Sequence, residues 1–123
     1  ILLAEDNDLN AEIAAYQLKE AGMEVTRVVN GKEVVDLYES RSEGTFDLVL
    51  MDVMMPQMCG YGATKENREY EKATGRKRIP VIAMTANAFA EDVKASMDAG
   101  MEGHISKPIV EDELIREVMR HIA

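Results

Sequence analysis

Phe46-Asp47-Leu48-Val49-Leu50-Met51-Asp52-Val53-Met54-Met55-Pro56 is a strand-like apolar run that ends in the carboxylate Asp52 and is punctuated by Pro56. A run this continuous suits a strand covered on both faces, as in a parallel sheet. An acid at the carboxyl end of such a strand stands where open α/β sheets put their chemistry. On either side, Ile1 to Ala4, Val25 to Val29 and Ile79 to Met84 are runs of the same kind, and His104-Ile105 is a shorter one.

Segments with helical punctuation lie between these runs. Asp8 is expected to cap a helix through Ala21 that stops at Gly22, with Ile13, Ala14, Leu18 and Ala21 on one arc. Asn30 followed by Glu33 reads as a capping box, opening a helix with Val34, Val35 and Tyr38 inward. Phe89, Val93 and Met97 mark a fourth helix ending near Gly100, and Leu114, Ile115, Val118, Met119 and Ile122 mark a fifth. The third helix, Gly60 to Lys72, is expected to be frail: Gly62 and Asn67 interrupt it, and the charged stretch Lys65 to Arg78 offers little apolar face. Thr74-Gly75-Arg76-Lys77-Arg78 reads as a solvated basic turn. Five strands alternating with five helices imply one doubly wound parallel sheet with right-handed crossovers.

Composition narrows the function classes. The chain has 123 residues, the size of one domain, and 14 basic against 23 acidic side chains give a net charge of -9. Such a balance repels a phosphate backbone, so no direct nucleic acid binding is expected of this segment. A single cysteine excludes an internal disulfide and fits a reducing, cytoplasmic setting. No run approaches membrane-spanning length, so no membrane contact by this segment is expected. The chain opens on Ile1-Leu2-Leu3 at the edge of a strand, and residues 1–123 read as one domain excised from a longer protein.

Chemistry gathers at the strand ends. Glu5 and Asp6 follow the first strand, Asp52 ends the third, Thr85 follows the fourth and Lys107 the fifth. In a sheet of order 2-1-3-4-5 the first and third strands are neighbours, and their acids meet at the topological switch point. Three carboxylates in one pocket raise one another's pKa unless a cation joins them. An oxygen-only anionic site suits Mg²⁺ (or Mn²⁺). With the metal in place, one carboxylate can accept a phosphoryl group, whose oxygens Lys107 and Thr85 could neutralise. Each residue alone has a plainer reading, as a turn former, a surface charge or a cap. Five of them at the ends of four strands favour a site.

Leu2-Leu3-Ala4-Glu5-Asp6-Asn7, Leu48 to Pro56, Met84-Thr85-Ala86-Asn87-Ala88 and Gly100 to Pro108 together resemble the receiver domains of two-component response regulators, in order and over essentially the whole chain. The resemblance implies a flavodoxin-like five-stranded sheet of order 2-1-3-4-5 with helices on both faces. It implies Asp52 as phosphoacceptor, taking its phosphoryl group from a sensor histidine kinase or a histidine phosphotransfer domain. It also implies Mg²⁺ held by Asp6, Asp52 and the backbone carbonyl of Met54, with Glu5 acting through water. Thr85 would be the switch hydroxyl and Lys107 its cationic partner. Met54 and Asn87 would modulate phosphoryl lifetime, and the Lys107-Pro108 peptide would be cis. Phosphorylation would bias the surface of the fourth helix, fifth strand and fifth helix, through which a homodimer could form.

His104 stands where many members carry a switching aromatic, and it reads equally as a half-buried imidazole with no switching role. Cys59 stands where the family commonly has an acid before Gly60; a packed or idle thiol is expected. Met51, Met54, Met55 and Met58 are expected to fill core and loop gaps. Glu5-Asp6-Asn7 with Asn10, Thr85 to Ala88 and Ser106 to Ile109 look most like the receiver of a hybrid sensor histidine kinase, a parent of the kind that can be membrane-anchored. The alternatives are the receiver of a regulator with an output domain and a receiver-like interaction module that works unphosphorylated. A phosphatase is disfavoured, since no acid lies two residues after Asp52 and no glycine-rich phosphate loop follows the first strand.

Overall fold

A computed structural model describes residues 1–53, 55, 58–85, 90–107 and 109–122, without the side chains of residues 90–93. Its elements run β1 (Leu2–Ala4), α1 (Asp8–Glu20), β2 (Thr26–Val28), α2 (Gly31–Ser40), β3 (Val49–Asp52), α3 (Gly60–Thr74), β4 (Val81–Thr85), α4 (Ala90–Ala99), β5 (Gly103–Ser106) and α5 (Glu111–Ile122). All four strand pairings are parallel, in the order β2-β1-β3-β4-β5. The flavodoxin-like doubly wound expectation therefore holds.

Period-two alternation splits the strands between two cores. Leu2, Val49, Met51, Val81 and Ala83 face Val34, Val35, Tyr38 and Ala63 of α2 and α3. Leu3, Leu50, Ile82, Met84 and Ile105 face Ala11, Ala14, Leu18, Leu114 and Val118 of α1 and α5. β1, β3 and β4 are buried along their whole length. β2 differs from expectation: as an edge strand it buries only Val28, while Thr26 and Arg27 face solvent.

Local corrections have local causes. Asn7, not Asp8, caps α1: its extended backbone lets its side-chain oxygen accept the amide of Asn10 at 2.9 Å. The buried arc of that helix is Ala11, Ala14 and Leu18, and it leaves Ile13 40% exposed and Ala21 outside. Asn30 accepts the Glu33 amide at 2.8 Å, as a capping box requires, but the Glu33 carboxylate reaches one residue further back, to the amide of Val29 at 3.0 Å. Met97 on α4 and Met119 on α5 point outward, because Ser96, Ala99, Leu114 and Val118 occupy the inner positions. Phe89 and Val93, expected to mark α4, lie outside the described side chains.

α3 is the largest departure. It runs 15 residues, and its inner face carries Gly60, Ala63, Thr64, Asn67 and Glu71. Polar partners replace apolar contact there. Glu71 accepts the Tyr38 hydroxyl and the Ile79 amide, each at 2.7 Å, and pairs with Arg68 at 2.9 Å. The basic stretch that follows is exposed at Thr74, Gly75, Lys77 and Arg78, as expected of a solvated turn, but its arginines are also tied to the fold. Arg76 stacks on both Tyr38 and Tyr70, with its guanidinium carbon 5.0 and 4.9 Å from the ring centres, and donates to the carbonyls of Tyr38 and Arg41. Arg78 binds Glu102 at 2.6 Å. Met51 and Met55 are buried and Met58 packs against the core, as expected of gap fillers; Cys59 is exposed. No helix among the described residues is long and apolar enough to cross a membrane.

Candidate functional site

β1 and β3 are adjacent, with Ala4 opposite Met51, so the residues that follow them emerge side by side at the switch point. Asp52 is the last residue of β3 and is buried. Glu5, just past β1, is 1% exposed, and its amide still pairs with the Val28 carbonyl of β2 at 3.1 Å. Its own carbonyl accepts two bonds from the Arg27 guanidinium, at 3.1 and 2.9 Å, so the turn out of β1 is held from β2. Asp6 is exposed. Carboxylate oxygens of Glu5, Asp6 and Asp52 all lie within 4.8 Å of one another.

Lys107 closes the site from the other side. Its amide donates to the Thr85 carbonyl at 2.8 Å, extending the β4–β5 ladder by one residue. Its ammonium lies 2.8 Å from Glu5 Oε1 and 3.1 Å from Asp52 Oδ2. Thr85 is the buried last residue of β4, next to Met84, which pairs with Asp52 across the ladder. The approach of α3 is equally tight. A Cβ on Gly60 would stand 2.6 Å from the Asp52 carbonyl oxygen and 3.0 Å from Val53 Cα, so only glycine lets α3 begin there.

Charge in the pocket is unbalanced. Three carboxylates face one ammonium, and burial first, then the neighbouring Asp52, push the Glu5 carboxyl up to about 7 against the pull of Lys107. Burial lowers the Lys107 ammonium, but Glu5 and Asp52 outweigh it and hold it above its usual value. An all-oxygen, convergent and under-compensated donor set fits a hard divalent cation, for which Glu5, Asp6 and Asp52 are the carboxylate ligands among the described residues.

The expected residues Glu5, Asp6, Asp52 and Lys107 are thus brought together, with Thr85 on the adjoining strand end. His104 is separate: half-buried, it lines two surface clefts with Glu117, one of about 240 Å³ between α4 and α5 that Gly103 shares, and one of about 200 Å³ between β5 and α5. Met54, Asn87 and the Lys107-Pro108 peptide lie outside the described residues. Arg27 was not singled out from sequence. Its contact with Glu5 spans 22 residues and rests on backbone oxygen, which leaves no signature in spacing.

Comparison with known proteins bears on this geometry. A family model described as the response regulator receiver domain matches residues 1–119. Hybrid signal transduction histidine kinase L of Dictyostelium discoideum is 36% identical over 120 residues, covering 98% of this chain and 7% of that protein. Sensor protein GacS of Pseudomonas syringae pv. syringae is 34% identical over 120 residues, covering 98% of this chain and 13% of that protein. The chain therefore spans a small fraction of the relatives it matches. Among solved structures, the receiver domain of a sensor histidine kinase from Pseudomonas aeruginosa PAO1 is 38% identical with a TM-score of 0.85, covering 98% of this chain and 94% of that one. That crystal structure has a magnesium ion coordinated in its active site cleft.

Proposed function

Because the chain belongs to the response regulator receiver domain family, we propose that Asp52 is the acceptor of a phosphoryl group in a phosphorelay, with a phosphohistidine of a sensor kinase or phosphotransfer domain as donor. One observation carries this assignment: the buried Asp52 carboxylate has the Lys107 ammonium 3.1 Å away, itself 2.8 Å from Glu5, and the oxygens of Glu5 and Asp6 within 4.8 Å. Glu5, Asp6 and Asp52 would hold Mg²⁺ or Mn²⁺, as the cleft of the Pseudomonas receiver holds magnesium, and an ion there would supply positive charge against the acids and the transferred oxygens.

The chain's own groups position and neutralise. An Asp52 oxygen attacks phosphorus, the bond to the donor imidazole nitrogen breaks, and its electron pair returns to the ring. Lys107 compensates the incoming charge. Thr85, at the end of the neighbouring strand, offers a hydroxyl to the new phosphoryl group.

Treatment with a small phosphodonor such as acetyl phosphate, with Mg²⁺, should add one base-labile acyl phosphate. Asp52→Asn should abolish it; the same adduct in that variant would sink the assignment.

Residues 1–123 then act as one receiver within a longer hybrid histidine kinase, a reading supported by relatives of that kind. The face of α4, β5 and α5 is the further candidate for a phosphorylation-dependent contact with a second copy, supported by the exposed Met97 and Met119. Sedimentation with and without phosphodonor tests it, and an unchanged monomer counts against it.

A further inference from the structure

We infer that Arg68 and Glu102, at the end of the sheet remote from Asp52, are positioning residues for the proposed phosphoryl transfer: they lock the register of β5 and thereby set Lys107 on Asp52. This rests on the reading of Asp52 as acceptor and of Lys107 as its cation.

β5 has four residues and a single neighbour, β4. A short edge strand with half-exposed residues is weakly fixed by its own apolar pattern, and a slip of one residue turns every side chain to the other face. The same slip moves the strand about 3.3 Å along its axis. Lys107 follows directly after the strand, and its ammonium contacts at 2.8 and 3.1 Å tolerate no such displacement. Something must therefore fix β5 at its beginning.

Glu102 does this by gripping Val81 from both sides. Its amide donates to the Val81 carbonyl at 2.9 Å, and its carboxylate Oε2 accepts the Val81 amide at 2.8 Å. A side chain thus completes the first rung of the β4–β5 ladder. That carboxylate is in turn held by Arg68 Nη2, at 2.8 and 2.9 Å from its two oxygens, and by Arg78 Nε at 2.6 Å.

Arg68 supplies the fixed reference. Its Nε and Nη2 donate to the Gly100 carbonyl at 3.0 and 2.8 Å, and its Nη1 donates to the Ile79 carbonyl at 2.8 Å and to Glu71 at 2.9 Å. One guanidinium, planar and forked, therefore ties α3 to the segments entering β4 and β5. Neither residue touches the acids of the site. Glu102 stands five residues before Lys107, about 16 Å along an extended strand, and acts through the register between them.

The metal ligands lie at the ends of β1 and β3, whereas Lys107 lies beyond β5, and this separation supplies the test. Mg²⁺ affinity by titration calorimetry and the phosphorylation rate with acetyl phosphate at saturating Mg²⁺ would be measured for Arg68→Met and Glu102→Ala. Mg²⁺ affinity should not fall, because Lys107 drawn away from Glu5 and Asp52 competes less for their oxygens, while the rate should fall about tenfold or more, since a misplacement of 1 Å can cost about 10²-fold. Glu102→Gln keeps an acceptor for the Val81 amide and should recover part of the loss. Unchanged rates in Arg68→Met and Glu102→Ala would overturn the inference, as would rate and Mg²⁺ affinity falling together. Lys107→Ala separates the two levels: if it phosphorylates at the parent rate, the role given to Lys107 in the transfer fails, and not merely the role of Arg68. Should Arg68→Met fail to fold, Glu102→Ala decides alone, because Glu102 is 23% exposed and its removal is more easily tolerated.

Discussion

At Glu5, burial and charge pull against each other. The carboxyl is driven up to about 7 by desolvation and by Asp52, against an ordinary value of 4.5. Between those two values the folded chain binds more protons at this site than the unfolded chain, so the contribution of Glu5 to stability is fully present below about 4.5 and is lost as the pH rises through about 7. In a chelator, stability should therefore fall over this window by up to about 1.4 kcal/mol per pH unit from this group. Urea midpoints at pH 5 and pH 8 check it: Glu5→Gln should flatten the slope, and an equal slope in both proteins removes Glu5 as its cause. Asn67 is the complementary case, fully buried with neither amide atom hydrogen-bonded among the described residues. Asn67→Leu is nearly isosteric and should raise stability by about 1–3 kcal/mol, the cost of an unpaired buried polar group. A loss in urea denaturation would mean that the amide is satisfied in solution. Asp52 and Lys107 were legible in sequence because each closes a strand run. Asn67 was legible only as an oddity, since nothing in its neighbours says which way it points.

α3 shows why one element escaped a reading that served the others. Apolar periodicity detects a helix by the grease on its inner face, and α3 buries Thr64, Asn67 and Glu71 there. The partners that make this tolerable are far away in sequence: Tyr38 on α2 and Ile79 before β4 both bond Glu71, and Arg68 pairs with it one turn away. The capping box of α2, by contrast, lies within four residues and was visible at once. A polar inner face makes α3 sensitive to the loss of a single charge. Glu71→Ala should cost about 3–5 kcal/mol, because it leaves Arg68 partly buried without one of its carboxylates and orphans the Tyr38 hydroxyl and the Ile79 amide. Tyr38→Phe removes one hydrogen bond to a charged acceptor and should cost about 1.5–3 kcal/mol. Chemical denaturation of both variants measures the difference, and equal losses would mean that Arg68 draws little from Glu71.

Charge is unevenly spread over the whole molecule, and the unevenness follows the sheet. Three acids converge at the carboxyl edge, while six of the fourteen basic residues fall between Lys65 and Arg78, on α3 and the segment leading into β4 at the opposite edge. The strands that produce this were readable as apolar runs, Val25 to Val29 among them, and their order came with the family resemblance, whereas the exposure of β2 was not readable, because an edge strand shows only one buried residue. Glu5 and Asp6 come from one strand and Asp52 from another, so their oxygens converge only when the sheet is formed. A divalent cation that needs all three therefore binds the folded chain and not the unfolded one, and stability should rise with its concentration. At about 100 times the dissociation constant, Mg²⁺ should add about 2.7 kcal/mol, seen as a rise in the thermal midpoint. If Glu5 is one of its ligands the cation needs the ionised carboxylate, and the rise should be larger at pH 8 than at pH 5, opposing the loss of stability that the metal-free chain undergoes over the same window. Asp52→Asn removes one ligand and should shrink the rise at both pH values. A midpoint that responds equally in Asp52→Asn and in the parent would place the cation elsewhere on the acidic surface and detach it from Asp52.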